Sequence, residues 1–302
     1  MAKEQYKKHR FMKKSLPLVT KIQEITGEYI AMGYTLSVRQ LYYQLVSRDV
    51  IENNKYQYDR VKRMTKEARI AGVVDWDSIE DRTRGLKGWK HYDNPAEAIR
   101  QAAYGYMTDW WTGQACRIEC WCEKDALSDV VRSACAKTRT PFMTCKGYTS
   151  TTVQRETAER FIRNADKENI ILYCGDHDPS GCDMNRQIQA SMDLFGAKVQ
   201  IKRIALTMEQ VQAYNPPPNY AKSTDTRYPA YKAKYGEECW ELDALRPEIM
   251  ADLIDKQIRK YLDLSQFEKM QAEEREQEQE LFAIAANYAG ALQGAIKGVA
   301  EI

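Results

Sequence analysis

The stretch ILYCGDHDPSG, Ile171 to Gly181, decides the architecture. The apolar run Ile170–Cys174 reads as a buried strand, and turn residues close it. Asp176 and Asp178 follow at once. Residues i and i+2 of an extended chain point the same way, so both carboxylates leave the strand's C-terminal end together. His177 between them then points to the opposite side. Outward from this strand, Arg117–Cys122, Pro141–Cys145 and Lys198–Ile204 are further short apolar runs, with helical segments between them. That β-α-β-α rhythm predicts an α/β fold, a doubly wound and mainly parallel sheet covered on both faces. Ligands of such sheets gather at the carboxyl ends of the strands. The run RIECWCEKDAL, Arg117 to Leu127, carries Glu123 at that end. If the two strands are neighbours, Glu123, Asp176 and Asp178 converge. Three adjacent carboxylates repel one another without a cation, and Mg²⁺ suits oxygen-only ligation that retains water and phosphate. A DxD on its own is more often a turn or a cap.

The N-terminal third is of another kind. Leu18, Ile22, Ile25, Tyr29 and Ile30 form a helical stripe, and Gly33 stands where a helix should stop. Ser37 and Gln40 are spaced as a capping box. Val38, Leu41, Tyr42, Leu45 and Val46 then give a second helix one apolar face. Tyr42 belongs to that face. Tyr43 lies off it and shares a side with Arg39, one turn earlier. A phenol beside a guanidinium is a candidate nucleophile, because the cation favours phenolate and can hold a phosphate. With 19 tyrosines in the chain, most must be structural. A third helix over residues 55–70 is basic, with six bases against two acids, net +4. Lys55, Arg60, Lys62, Arg63, Lys66 and Arg69 are its candidate phosphate contacts. Residues 1–14 form a basic arm of net +5. Arm and helix together favour a nucleic-acid partner over a merely solvated face. Three short helices followed by Val73–Gly85 predict a winged-helix-like unit.

The 302 residues suggest two domains and an appendage. Formal charge is only +2, because acid is concentrated in Gln271–Glu280. Apolar residues at 43% and charged residues at 29% exclude wholesale disorder. No long apolar run or signal-like N-terminus appears, so a cytoplasmic protein without a membrane partner is expected. Eight cysteines include no CxxC pair, and there are three histidines, so free thiols are expected rather than zinc. Asn215-Pro-Pro-Pro-Asn219 should open a loop. Glu241–Leu262 reads as helix, and so do the last 40 residues. Ala286, Gly290, Gly294 and Gly298 recur every fourth residue there, which suits close packing against a second copy or a frayed tail. The expected division is an arm at 1–14, a DNA-binding domain at 15–112, a metal-binding domain at 113–262 and a C-terminal helix at 263–302.

VRQLYY (Val38–Tyr43), CEKDAL (Cys122–Leu127), CKGYTSTTVQR (Cys145–Arg155) and GDHDPSG (Gly175–Gly181) occur in one order. In that order they resemble the A subunit of DNA topoisomerase VI and its meiotic double-strand-break relative. The chain is most similar to the short stand-alone A-type proteins of bacteria and phages, sometimes called Mini-A. RIALTMEQVQAYNPPPN and CWELDAL also resemble these short relatives. The resemblance implies a winged-helix domain bearing a catalytic tyrosine, joined to a Toprim domain bearing Glu and DxD. It implies Tyr43 as nucleophile with Arg39 beside it, and Glu123, Asp176 and Asp178 as Mg²⁺ ligands. The implied reaction is that of a type IIB isomerase. Tyr43 attacks double-stranded DNA to leave a 5′-phosphotyrosyl link and a free 3′-hydroxyl. A homodimer pairs the tyrosine of one protomer with the metal of the other. The family's Gly-Tyr-Pro turn is altered here, since Thr149 follows Tyr148. No ATP-binding motif appears, so complete topoisomerase activity implies a separate ATPase, B-type subunit. Two other readings stay open: a Toprim nuclease using metal-activated water, and a DNA-binding protein that does not cleave.

Overall fold

The computed structural model describes residues 3–80, 89–145 and 150–300. Tyr148 and Thr149 lie outside the described residues, as does Gly85. The chain divides into two compact units, Met1–Arg84 with Cys116–Lys260, and Gly85–Ala115 with Tyr261–Ile302. The N-terminal helices and the sheet, expected as separate domains, therefore belong to one unit.

Three helices open the first unit: α1 (Leu16–Ala31), α2 (Val38–Ser47) and α3 (Lys55–Ile70). Helix α1 ends where Gly33 adopts φ +81°, a left-handed conformation that favours glycine. The capping box forms as the spacing predicts. Ser37 Oγ accepts from Gln40 N–H at 3.2 Å, and Gln40 Oε1 accepts from Ser37 N–H at 2.8 Å. Asn54 caps α3 by accepting from Gln57 N–H at 2.9 Å. Ile22, Ile25, Tyr29, Leu41, Leu45 and Val61 meet in one core, and each contributes on the order of 1.5–3 kcal/mol by burial. A lone parallel bridge joins Leu36 to Ile79, and no hairpin wing occurs among the described residues. Helix α4 (Pro95–Tyr104) belongs to the second unit, although the sequence places it with the first three.

The sheet is parallel, with β1 (Cys116–Cys122), β2 (Phe142–Thr144), β3 (Glu168–Cys174) and β4 (Gln200–Ala205) in the order β2-β1-β3-β4. All four match the apolar runs to within two residues. Helices α5 (Ser128–Ala136), α6 (Thr151–Ile162) and α7 (Pro179–Leu194) alternate with the strands. Phe161 of α6 and Met184, Ile188 and Met192 of α7 cover Trp121, Ile171 and Tyr173 on one face. Beyond β4 the chain forms α8 (Met208–Tyr214), β5 (Asn219–Tyr220), α9 (Tyr228–Tyr235), β6 (Glu238–Cys239) and α10 (Pro247–Arg259). Helix α10 packs on α5 and β4, and α5 packs on β1 and β2, so both faces of the sheet are covered.

The helix expected from Glu241 begins only at Pro247. Arg246, at ψ 134°, is held extended by the proline that follows it. Before it, Leu242–Ala244 form one tight turn with Glu241 extended. None of the eight cysteines is joined in a disulfide, and all but Cys182 are buried. In the second unit, α11 (Leu264–Ala300) packs along α4. Glu274, from the acidic stretch, is buried and accepts from Thr108 N–H at 2.6 Å and Trp110 Nε1 at 3.1 Å. No helix among the described residues is long and apolar enough to cross a membrane.

Candidate functional site

Strand register places the acids. Cys122 of β1 pairs with Cys174 of β3, so both strands end at one level. Glu123 follows one strand, and Gly175-Asp176 follows the other. A Cβ on Gly175 would stand 2.8 Å from Glu123 Oε2. Glycine therefore leaves room for Glu123 Oε2 to accept from Asp176 N–H at 3.0 Å. Asp178 caps α7, its Oδ1 accepting from Gly181 N–H at 2.6 Å. Asp176 Oδ1 accepts from Leu242 N–H at 2.8 Å. Each carboxylate thus has one oxygen fixed by a backbone N–H. Arg203 holds the same loop from beneath, donating to the carbonyls of Gly175 and Gly181, each at 2.8 Å. His177 points away, as expected, and its Nδ1 lies 2.9 Å from Tyr231 Oη.

Glu123, Asp176 and Asp178 line a cavity of about 790 Å³ whose other wall includes Arg39, Tyr42, Tyr43 and Lys55. All of these groups belong to one chain and one unit. Burial, reinforced by the charge of Asp176, pushes Glu123 up to about 7. Burial also raises Asp176 against the pull of Lys124, and raises Asp178. Lys124 Nζ lies 2.6 Å from Asp176 Oδ2 and 3.4 Å from Glu241 Oε2. Burial pulls the Lys124 ammonium down, but Asp176 and Asp243 outweigh it and raise the group.

Tyr43 departs from expectation. Its face was read as lying off the apolar stripe, yet it is 4% exposed, the same as Tyr42. The cover comes from the turn at Leu242–Ala244, which packs on α2. Arg39 keeps its place beside the tyrosine, its guanidinium carbon 5.8 Å from the ring centroid. That guanidinium is already paired with Glu241, and its Nε lies 2.8 Å from the fully buried Asp243. Burial pushes the Tyr43 phenol up, with Asp243 adding to it. Arg39, Asn219 and Lys124 oppose the shift without cancelling it. Arg39 favours phenolate in the expected direction, but desolvation is the larger effect.

The basic helix divides in two. Lys62, Arg63 and Lys66 are exposed along α3. Lys55 reaches the cavity, and Arg60 is half-buried with Nη1 3.3 Å from Gln57 Oε1. Arg69 is not a free phosphate contact. It donates to the Trp76 carbonyl at 2.9 Å and lies 4.4 Å from the indole centroid.

Among the cavity residues, Lys124, Asn219 and Glu241 were not assigned roles from the sequence, and neither was Asp243, buried against Arg39. The i, i+2 acids of ELDAL repeat the DxD spacing, which was the available signal. Strand-like pairing brings them in, since His177 N–H donates to the Trp240 carbonyl at 2.8 Å and Trp240 N–H returns the bond at 3.0 Å.

Among the described residues, no three His, Cys, Asp or Glu side chains stand close enough together to hold one ion. The donor set nevertheless suits a hard cation in kind. Glu123 Oε1 and Asp178 Oδ2 are carboxylate oxygens not used by the backbone bonds above, and a protein ammonium already meets Asp176 Oδ2. For Mg²⁺ to reach Asp176, Lys124 must give up that oxygen. No family model, curated protein or solved structure matches the chain.

Proposed function

We propose that this chain cleaves DNA by Mg²⁺-dependent transesterification, as a type IIB topoisomerase A-like protein. The observation that carries the reading is that Tyr43, Arg39 and the three carboxylates line one cavity. In this reading Lys62, Arg63 and Lys66 draw the duplex in through its phosphates, and Lys55 guides the backbone at the cavity. The N-terminal helices act as the winged-helix-like DNA-binding element, and the sheet acts as the Toprim element. Arg39 orients one phosphate against the tyrosine. Tyr43 Oη attacks phosphorus in line and gives its proton to water. The Oη–P bond forms as the P–O3′ bond breaks, and O3′ takes a proton from water. The product is a 5′-phosphotyrosyl link and a free 3′-hydroxyl. Glu123, Asp176 and Asp178 would hold Mg²⁺, which when bound supplies charge stabilisation for the phosphate and the departing oxygen. Two copies would cut the two strands of a duplex. Because both cavity walls belong to one chain, each copy would use its own tyrosine and acids rather than its partner's, in contrast to the pairing that the resemblance implies. Strand passage would require a separate ATPase subunit.

A second reading draws on the 4% exposure of Tyr43. In it the acids and Mg²⁺ activate water, the protein is a nuclease, and Tyr43 is part of the core. Denaturing gels after incubation with DNA and Mg²⁺ separate the two. Transesterification predicts protein attached to 5′ ends, lost in both Tyr43→Phe and Asp176→Ala. Free ends that survive Tyr43→Phe identify the nuclease. Retarded but intact DNA identifies a binder that does not cut.

A further inference from the structure

Two asparagines link the cavity walls through their amides. Asn219 Nδ2 lies 3.4 Å from Tyr43 Oη and 3.2 Å from Glu241 Oε1. Its Oδ1 accepts from Asn53 Nδ2 at 2.7 Å. Asn53 Oδ1 in turn accepts from Tyr42 Oη at 2.9 Å. Asn53 Nδ2 also donates to the Pro218 carbonyl at 3.1 Å, and a carbonyl can only accept, so the donor and acceptor ends of Asn53 are fixed. That fixes its amide as donor to Asn219 Oδ1, and leaves the Asn219 amide facing Tyr43. The order of donors runs one way, from Tyr42 through both amides to the Tyr43 oxygen.

We propose that Asn219 is the hydrogen-bond donor that steadies the Tyr43 oxygen as it becomes phenolate, with Asn53 as the residue that positions it. The inference rests on reading Tyr43 as the nucleophile. A neutral amide suits this place because the surrounding charges are mixed. Arg39 of the same helix and Lys124 beyond β1 favour phenolate, while Asp243 and Glu241 from the facing turn oppose it. Another carboxylate in place of the amide would add to the opposition. The 3.4 Å contact is long for a hydrogen bond, and catalytic bonds of this type shorten when charge develops on the acceptor. The Asn219 backbone is held independently, since Asn219 pairs with Cys239 between β5 and β6. The side chain can therefore be altered without moving the strand.

Two measurements test the proposal. In the full chain labelled with 3-fluorotyrosine, the Tyr43 resonance is assigned by its absence in Tyr43→Phe and titrated without DNA. Asn219→Ala should move that titration up by about half a pH unit or more, because the charged form loses a donor, and Asn219→Asp should move it further. An unchanged midpoint overturns the proposal whether or not the protein cuts DNA. With DNA and Mg²⁺, Asn219→Ala should slow covalent attachment roughly tenfold at pH 7 and recover at higher pH. Attachment by wild type with an identical rate and pH profile in Asn219→Ala also overturns it. No attachment by wild type removes the nucleophile reading instead, and the titration still decides the hydrogen bond. If Asn219→Ala does not fold, Asn53→Ala, which keeps Asn219 but frees its amide, should give a smaller shift in the same direction, and no shift counts against the proposal.

Discussion

The two walls of the cavity are held by different means. On the acid wall, every carboxylate has an oxygen on a backbone N–H: Glu123 on Asp176, Asp178 on Gly181, and Asp176 on Leu242. Strand register sets their height, and Arg203 fixes the loop carbonyls. On the tyrosine wall, the contacts are between side chains: Asn219 on Tyr43, and Glu241 and Asp243 on Arg39. Backbone-held groups keep their place when a neighbour changes, whereas a network of side chains loses order with each member. The acid wall is thus a fixed template and the tyrosine wall an adjustable one.

The largest effect expected concerns whether the walls of one copy work together. Tyr43→Phe and Asp176→Ala should each abolish covalent attachment, and an equal mixture of the two should remain inactive. Recovered attachment on denaturing gels would mean that the tyrosine of one copy serves the acids of another. Stability should separate the walls next. Asp243→Ala removes the buried partner of Arg39 and should cost about 2 kcal/mol in urea unfolding, because the guanidinium loses the fully buried one of its two countercharges and keeps only Glu241. Asp178→Asn keeps a good α7 cap and should cost less than about 0.5 kcal/mol. Equal losses would erase the contrast.

A smaller effect follows from pH. Glu123 titrates near 7 in the folded chain, against an ordinary value of 4.5. Between these values the folded state binds more protons than the unfolded, so stability falls as pH rises through the window. In EDTA, Glu123→Gln should therefore be more stable than wild type at pH 8, on the order of 1 kcal/mol after allowance for partial exposure. Below pH 4.5 that advantage should vanish, and a constant difference across pH would contradict the burial account. The mildest change concerns α3. Lys66→Ala should lower DNA affinity evenly across sequences and reduce the salt slope by about one. Arg69→Ala should lower the melting temperature and leave that slope alone.

The same contrast explains what could be read from the sequence. A strand end exposes whatever follows it, so the placing of Glu123, Asp176 and Asp178 on one cavity was legible from spacing, and His177 was placed on the opposite side. Among the described residues, however, the three acids do not close into a group that could hold an ion. Helix α2 was found by its capping box and stripe, and Arg39 was rightly set beside Tyr43. The burial of Tyr43 was not legible, because its cover comes from residues some two hundred positions later. Glu241 and Asp243 arrive through the bridge between His177 and Trp240, and Asn219 through the pairing of β5 with β6. Helical spacing describes a face but not what covers it. Arg69 was misread for the same reason, since Trp76 returns beneath it after a turn. The second unit was missed because α4 and α11 are joined by packing between distant segments.

Mass spectrometry of wild-type protein after reaction with DNA and Mg²⁺ tests the central claim most directly. Among 19 tyrosines, the peptide containing Tyr43 should carry a 5′-linked nucleotide, and the partner strand end should be a free 3′-hydroxyl. A nucleotide on another tyrosine, or cut DNA with every tyrosine unmodified, would contradict the account.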